Sequence, residues 1–267
     1  MPDKTTAEPI KIVQITDSHL GDNLGDALLS MDADESLGDV LRLIKQQIPA
    51  PDIILATGDI ANDATVDAYR RFITTVARDF PYPMYWLPGN HDNPAMMEQA
   101  LGKPRERVIA IGQWVIIMLD SHVPQQIYGD LTRDELDFLE SALSDASDKH
   151  VLVCLHHQPV PIGSAWMDSY IVRSAHAFWD IIKRHSQVRA VVWGHVHQTF
   201  EDTYNKVALL STPSTCIQFT PEEDDFDVDV LMPGYRWFEL YADGQFKTGV
   251  ERVATKDYGI DFNSKGY

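Results

Sequence analysis

Cysteine is scarce, with two in 267 residues. That number cannot build the disulfide lattice of a small secreted scaffold. Cys154 lies in the apolar run Val151-Leu152-Val153-Cys154-Leu155, where a thiol acts as a small hydrophobe, and Cys216 has no metal-ligand spacing to it. Basic side chains are also few: 22 Lys and Arg stand against 40 Asp and Glu, a formal net charge of −18. That balance argues against a nucleic-acid partner, because binding a phosphate backbone needs basic surface to displace counterions. A small anion is still admitted where metal ions reverse the sign locally. No run approaches the ~18 consecutive apolar residues of a membrane span. Residues 1–6 show no basic stretch leading into an apolar one, so no secretory signal is expected and the expected location is cytoplasmic. Internal repeats, low-complexity tracts and flexible linkers are missing too, which favours one α/β domain over residues 1–267.

What is present is globular. Hydrophobic residues make up 44% and charged residues 23%, and six Trp with ten Phe exclude a disordered chain. Short apolar, β-branched runs recur at 12–15, 53–56, 84–87, 115–119, 151–155, 190–193 and 207–210. Their apolarity is near-continuous, which predicts strands covered on both faces. Helical periodicity falls between several of them, at about 34–47, 66–78, 132–144 and 174–185. Thr132-Arg133-Asp134-Glu135 has capping-box spacing, and 235–253 reads as a hairpin turning at Asp243-Gly244. The acidic run at 222–229 reads as a solvated loop.

The chemistry lies in the loops at the strand ends. Asp17-Ser18-His19 comes after the first strand, Gly58-Asp59 after the second and Gly89-Asn90-His91-Asp92 after the third. His156-His157 comes after the fifth and Gly194-His195-Val196-His197 after the sixth. Taken singly, each has a plain structural reading, such as a strand-end turn, a self-capping carboxylate or a buried histidine. Together they are specific, since open α/β sheets build sites outside the carboxyl ends of strands. Carboxylate oxygens with imidazole nitrogens suit borderline divalent metals such as Mn, Fe and Zn.

This ordered set resembles the calcineurin-like metallophosphoesterase superfamily. The segments Gln14-Ile15-Thr16-Asp17-Ser18-His19, Trp86-Leu87-Pro88-Gly89-Asn90-His91-Asp92 and Ser211-Thr212-Pro213-Ser214-Thr215-Cys216 are similar to the class III bacterial 3′,5′-cyclic AMP phosphodiesterases, over about 10–253. The resemblance implies a four-layer α/β/β/α sandwich of two mixed sheets flanked by helices. It implies two divalent ions (Fe, Mn or Zn), the first held by Asp17, His19, Asp59 and His197. The second would be held by Asp59, Asn90, His156 and His195, so that Asp59 is shared. Substrate would meet His19, Asp59, Asn90, His91 and His197.

The expected reaction is hydrolysis of cyclic AMP to 5′-AMP by a metal-bridging hydroxide, with a small cyclic nucleotide as partner and oligomeric state left open. His91 is the expected catalytic residue, as proton donor or as electrostatic stabiliser. Another small phosphodiester or phosphomonoester is the alternative substrate. A scaffold that has lost catalysis is disfavoured, because every ligand position and His91 are filled. Around this set, Asp92 is expected to orient His91 or cap its loop, and His157 to support a ligand or belong to the core. Asn62 and Asp63 are read as helix caps, and 212–219 as lining of a nucleotide pocket. His122, His150, His176 and His185 are given no role.

Overall fold

The computed structural model describes residues 8–101 and 106–266; residues 1–6, where a secretory signal would begin, lie outside the described residues. The chain begins with strand β1 (Ile10–Ile15), the short strands β2 (Ala27–Leu28) and β3 (Met31–Asp32), and helix α1 (Ala33–Gln47). Strand β4 (Ile53–Ala56), helix α2 (Val66–Asp79), strand β5 (Met84–Trp86) and helix α3 (Pro94–Leu101) come after them. Next are β6 (Val108–Ile111), β7 (Trp114–Met118), α4 (Arg133–Asp145), β8 (His150–Cys154), α5 (Ala165–Asp168) and α6 (Ala175–Ile182). Strands β9 (Val188–Trp193), β10 (Glu201–Tyr204), β11 (Val207–Ser211), β12 (Gln218–Phe219), β13 (Val228–Asp229), β14 (Gly234–Leu240) and β15 (Phe246–Arg252) complete the order.

Two mixed sheets carry the fold. One has the order β15-β14-β1-β4-β5 and the other β10-β11-β9-β8-β7-β6. In the first, β1, β4 and β5 run parallel, and β14 pairs antiparallel with both β1 and β15. In the second, β11, β9, β8 and β7 are parallel and the edges β10 and β6 are antiparallel.

The period-two geometry of strands explains the layering. Ile12, Ile53, Leu55 and Phe238 of the first sheet meet Ile116, Leu152, Cys154 and Val192 of the second in one buried cluster between the sheets. The alternate residues Val13, Ile15, Ile54, Val115, Val151, Val153 and Val191 point the other way. They join Leu37 and Val40 of α1, Phe72 of α2 and Leu139 of α4 in a second core. The result is helix, sheet, sheet, helix, and it accounts for the near-continuous apolar runs.

Local signals behave unevenly. Thr132 caps α4 by accepting from the Glu135 amide at 3.2 Å. The Glu135 carboxylate does not complete the box; it accepts from the Asp120 amide at 2.7 Å and pairs with Arg107. β14 and β15 form the expected hairpin, with Gly244 at φ +84°. Asn62 and Asp63 are not helix caps, because α2 starts at Thr65, whose Oγ1 accepts from the Ala68 amide. The acidic run is only partly a solvated loop. Residues 222–225 are exposed, but Val228–Asp229 pairs with Gln218–Phe219 as a small ribbon. Among the described residues no helix is long and apolar enough to cross a membrane.

Candidate metal centre

The strand-end loops of both sheets meet at one crevice, and the backbone there is bent hard. Asp17, His19, Asp59, His195 and His197 all have positive φ, at +55°, +45°, +47°, +64° and +49°. A non-glycine residue in that region costs on the order of 1–3 kcal/mol and persists only where its surroundings over-determine it. Here they do. The Asp17 amide donates to Gly58 O and the His19 amide to Asp59 O, both at 3.0 Å, which clamps the first loop to the second. The His195 amide donates to both Asp17 carboxylate oxygens, at 3.1 and 3.0 Å, and ties the two sheets together.

Glycine is dictated by crowding at the same place. A β-carbon at Gly89 would lie 2.7 Å from Asp59 Cγ, and one at Gly194 would lie 2.7 Å from Asp17 Oδ2. These glycines let one loop's backbone touch the next loop's carboxylate.

Backbone carbonyls orient the imidazoles. Nδ1–H of His156 donates to Thr57 O at 2.8 Å, that of His197 to Ile217 O at 2.9 Å, and that of His91 to Asn62 O at 3.2 Å. A carbonyl can only accept, so each bond fixes the tautomer and leaves Nε2 for the crevice. Nε2 of His197 lies 3.1 Å from Nε2 of His19 and 3.4 Å from Asp17 Oδ1. Nε2 of His156 lies 3.2 Å from Asp59 Oδ2 and 3.2 Å from Asn90 Oδ1. Asp59 Oδ2 is also 3.9 Å from His19 Nε2, so this one carboxylate stands between both groups.

Such crowding of ligand atoms suits cations. Ligand atoms of Asp17, His19 and His197 lie within 4.8 Å of one another, as do those of Asp17, Asp59 and His156. His195 Nε2 is buried without a hydrogen-bond partner. Among the described residues, Asp17 and Asp59 have histidines and neither Lys nor Arg at ion-pair distance. Two buried carboxylates and an orphaned imidazole nitrogen fit a divalent-metal donor set.

The donors titrate differently from one another. Burial, then the neighbouring imidazoles, hold His19 and His195 well below the usual histidine range, in the neutral form that ligates metals. Burial lowers His156 too, but the adjacent Asp59 carboxylate overrides it and lifts the group to about 9. Burial would raise Asp59, yet the imidazoles beside it hold it well below the usual carboxylate range.

The remaining residues sort cleanly. Asp92 caps its loop: it accepts from the Gly89, Ile60 and Ala61 amides and from the Tyr69 hydroxyl, binding two site loops together. Burial, then the charge of Asp59, raise it to about 6. His157 has both ring nitrogens engaged, with Ser121 Oγ at 2.8 Å and Ile127 O at 3.0 Å, so it packs behind His156 and His195. Within 212–219, Ser214 and Thr215 are buried behind Asp17, and Phe219 alone of that segment borders the cavity.

That cavity, about 200 Å³, is lined by Asn90, His91 and His195 together with Trp166, Tyr170, Phe219 and Phe226, and Lys265 also borders it. Sequence reasoning missed Trp166, Tyr170 and Phe226, which lie at no strand end and sit in no metal-type motif.

Residues 10–199 match the calcineurin-like phosphoesterase family. The chain is 39% identical over 264 residues to the 3′,5′-cyclic adenosine monophosphate phosphodiesterase CpdA of Pseudomonas aeruginosa, covering 98% of this chain and 97% of that one. It is 40% identical over 262 residues to the protein of the same name from Escherichia coli K12, covering 97% and 95%. A dimetal phosphatase from Danio rerio shares the fold, with a TM-score of 0.60 at 13% identity over 92% of this chain and all of that one. A centre for two divalent cations is what this fold implies, and the buried donors fit it. With the match covering well over half its length, the chain belongs to the calcineurin-like phosphoesterase family.

Proposed function

We propose that this protein is a metal-dependent phosphodiesterase that hydrolyses 3′,5′-cyclic AMP to 5′-AMP. The observation that carries the reading is 39–40% identity to CpdA phosphodiesterases over nearly the whole chain, joined to a crevice of buried donors centred on Asp59. Asp17, His19, Asp59 and His197 would hold one ion, and Asp59, Asn90, His156 and His195 the other. When bound, two such ions supply Lewis-acid charge to the phosphoryl oxygens and a nucleophile at neutral pH. Iron, manganese and zinc all suit the donors.

The chain's own part is positioning and proton transfer. A water oxygen forms the new bond to phosphorus from the side opposite O3′, and the P–O3′ bond breaks. O3′ leaves as an alkoxide unless protonated, and His91, carrying protons on both ring nitrogens, supplies that proton from Nε2. Its Nδ1–H is committed to Asn62 O, so only Nε2 is available for transfer. The proton released by the attacking water restores His91. His19, Asp59, Asn90 and His197 would face the phosphate with it. The position is supported by the His91 amide, which donates to Asp59 Oδ1 at 2.8 Å and ties the proton donor to the shared ligand.

The test is incubation of the purified, manganese-loaded protein with cyclic AMP and separation of 5′-AMP from 3′-AMP. Release of 5′-AMP alone supports the proposal. No turnover of cyclic AMP, with turnover of a phosphomonoester, contradicts it.

A further inference from the structure

We infer that the wall formed by Trp166, Tyr170, Phe219 and Phe226 is the nucleobase subsite, and that Phe226 sets its preference for ligands that carry a base; this rests on the proposed phosphodiesterase activity.

Three of these rings brace one another edge to face. Ring centroids are 5.2 Å apart for Trp166–Phe219, 5.4 Å for Trp166–Phe226 and 5.4 Å for Phe219–Phe226. The cluster is coupled to the donors of the crevice. Phe219 stacks on His197 at 4.3 Å with the planes 11° apart, and Tyr170 meets His195 edge-on at 6.2 Å. A ligand whose phosphate sits among those histidines therefore has its next group against aromatic faces.

Trp166, Tyr170 and Phe226 are only partly buried. Large rings of this kind usually close a core, but here they border a cavity. A flat, polarisable occupant fits this lining, which includes Lys265 beside the rings. At about 200 Å³ the space suits one ring system. A heteroaromatic base meets each condition, and base–aromatic stacking is sequence-tolerant binding through the π-face.

The acidic run at 222–229 thereby acquires a purpose. Residues 222–225 are exposed acids, and the next residue, Phe226, turns inward. The segment is fastened by the Thr220 amide to Asp227 O at 3.0 Å, by Thr220 Oγ1 to Asp227 Oδ2 at 2.6 Å and by Ser164 Oγ to Glu223 O at 2.8 Å. The β12–β13 pairing then sets the register that delivers Phe226 beside Phe219. The ring is held on a stapled ribbon, with carboxylates around it that discourage longer polyanions.

The experiment is calorimetric titration of the manganese-loaded protein with 5′-AMP and with ribose 5-phosphate, which lacks the base. Phe226→Ala lowers the preference for 5′-AMP over ribose 5-phosphate by about five- to hundredfold, the range that loss of one stacking partner gives. Phe226→Leu keeps apolar bulk for the ribbon and shows the same loss, whereas Phe226→Tyr retains the preference. An unchanged preference in both Phe226→Ala and Phe226→Leu overturns the inference. Wild-type protein that prefers 5′-AMP yet leaves cyclic AMP intact overturns the proposed reaction and spares the subsite. Hydrolysis of cyclic AMP with no preference for the base does the reverse.

Discussion

The polar floor of the crevice and its aromatic wall are built by opposite means. In the floor Asp17, His19, Asp59, His156, His195 and His197 are 0–5% exposed, mostly on backbone bent into the left-handed region, and packed so closely that Gly89 and Gly194 admit no β-carbon. Each imidazole whose partner is a carbonyl is locked in one tautomer. The wall sets the half-buried rings of Trp166, Tyr170 and Phe226 around the buried Phe219, on helix α5, the loop after it and the β12–β13 segment, held by a handful of hydrogen bonds. The floor must not move, because reacting atoms tolerate little misplacement. The wall needs only a surface, so chemistry and selectivity can be changed separately.

The comparison can be broken most severely at Asp59. Asp59→Ala should remove bound metal and turnover together, measured by elemental analysis and by assay; two tightly held ions in that variant would refute the shared carboxylate. His91→Ala should cost about 10²- to 10⁴-fold in kcat, the usual contribution of a general acid, with metal content near normal. Equal loss of metal and turnover would make His91 structural instead. Gly194→Ala forces a β-carbon towards Asp17 Oδ2, so overpacking should lower stability by about 1–3 kcal/mol, read from denaturant midpoints, and reduce metal occupancy.

The smallest effect belongs to Tyr69, whose hydroxyl donates to Asp92 Oδ1 at 3.1 Å and accepts from the Asn93 amide at 2.9 Å. Tyr69→Phe should cost about 1 kcal/mol of stability, or somewhat more if the Asp92 oxygen is left unsatisfied. It should leave the wall's preference for the base intact, which distinguishes loop support on the floor side from ligand contact on the wall side.

The floor was legible because its residues come just after strands, and a strand's carboxyl end fixes where the next few side chains go. Asp17, Asp59, Asn90, His156 and His195 each sit one to four residues past a readable apolar run, so topology alone gathers their loops. Other parts were hidden for physical reasons. Asn62 and Asp63 carry capping side chains, but the chain runs on to Thr65 before α2 begins, and what matters at Asn62 is its carbonyl, which every residue has. Asp92 could be read as capping or orienting; the four donors that decide for capping come from three separated segments. Apart from Phe219, which lies in the expected pocket segment 212–219, the wall was invisible because Trp166 and Phe226 reach it only through tertiary packing. Phe226 was further masked by the acidic residues around it, whose charges read as solvated surface.

Anomalous diffraction from crystals grown with manganese tests the central claim most directly. The account predicts two peaks inside the crevice, each within coordination distance of an Asp59 carboxylate oxygen, one beside His197 and the other beside His156. One peak only, or two with Asp59 touching neither, would contradict it.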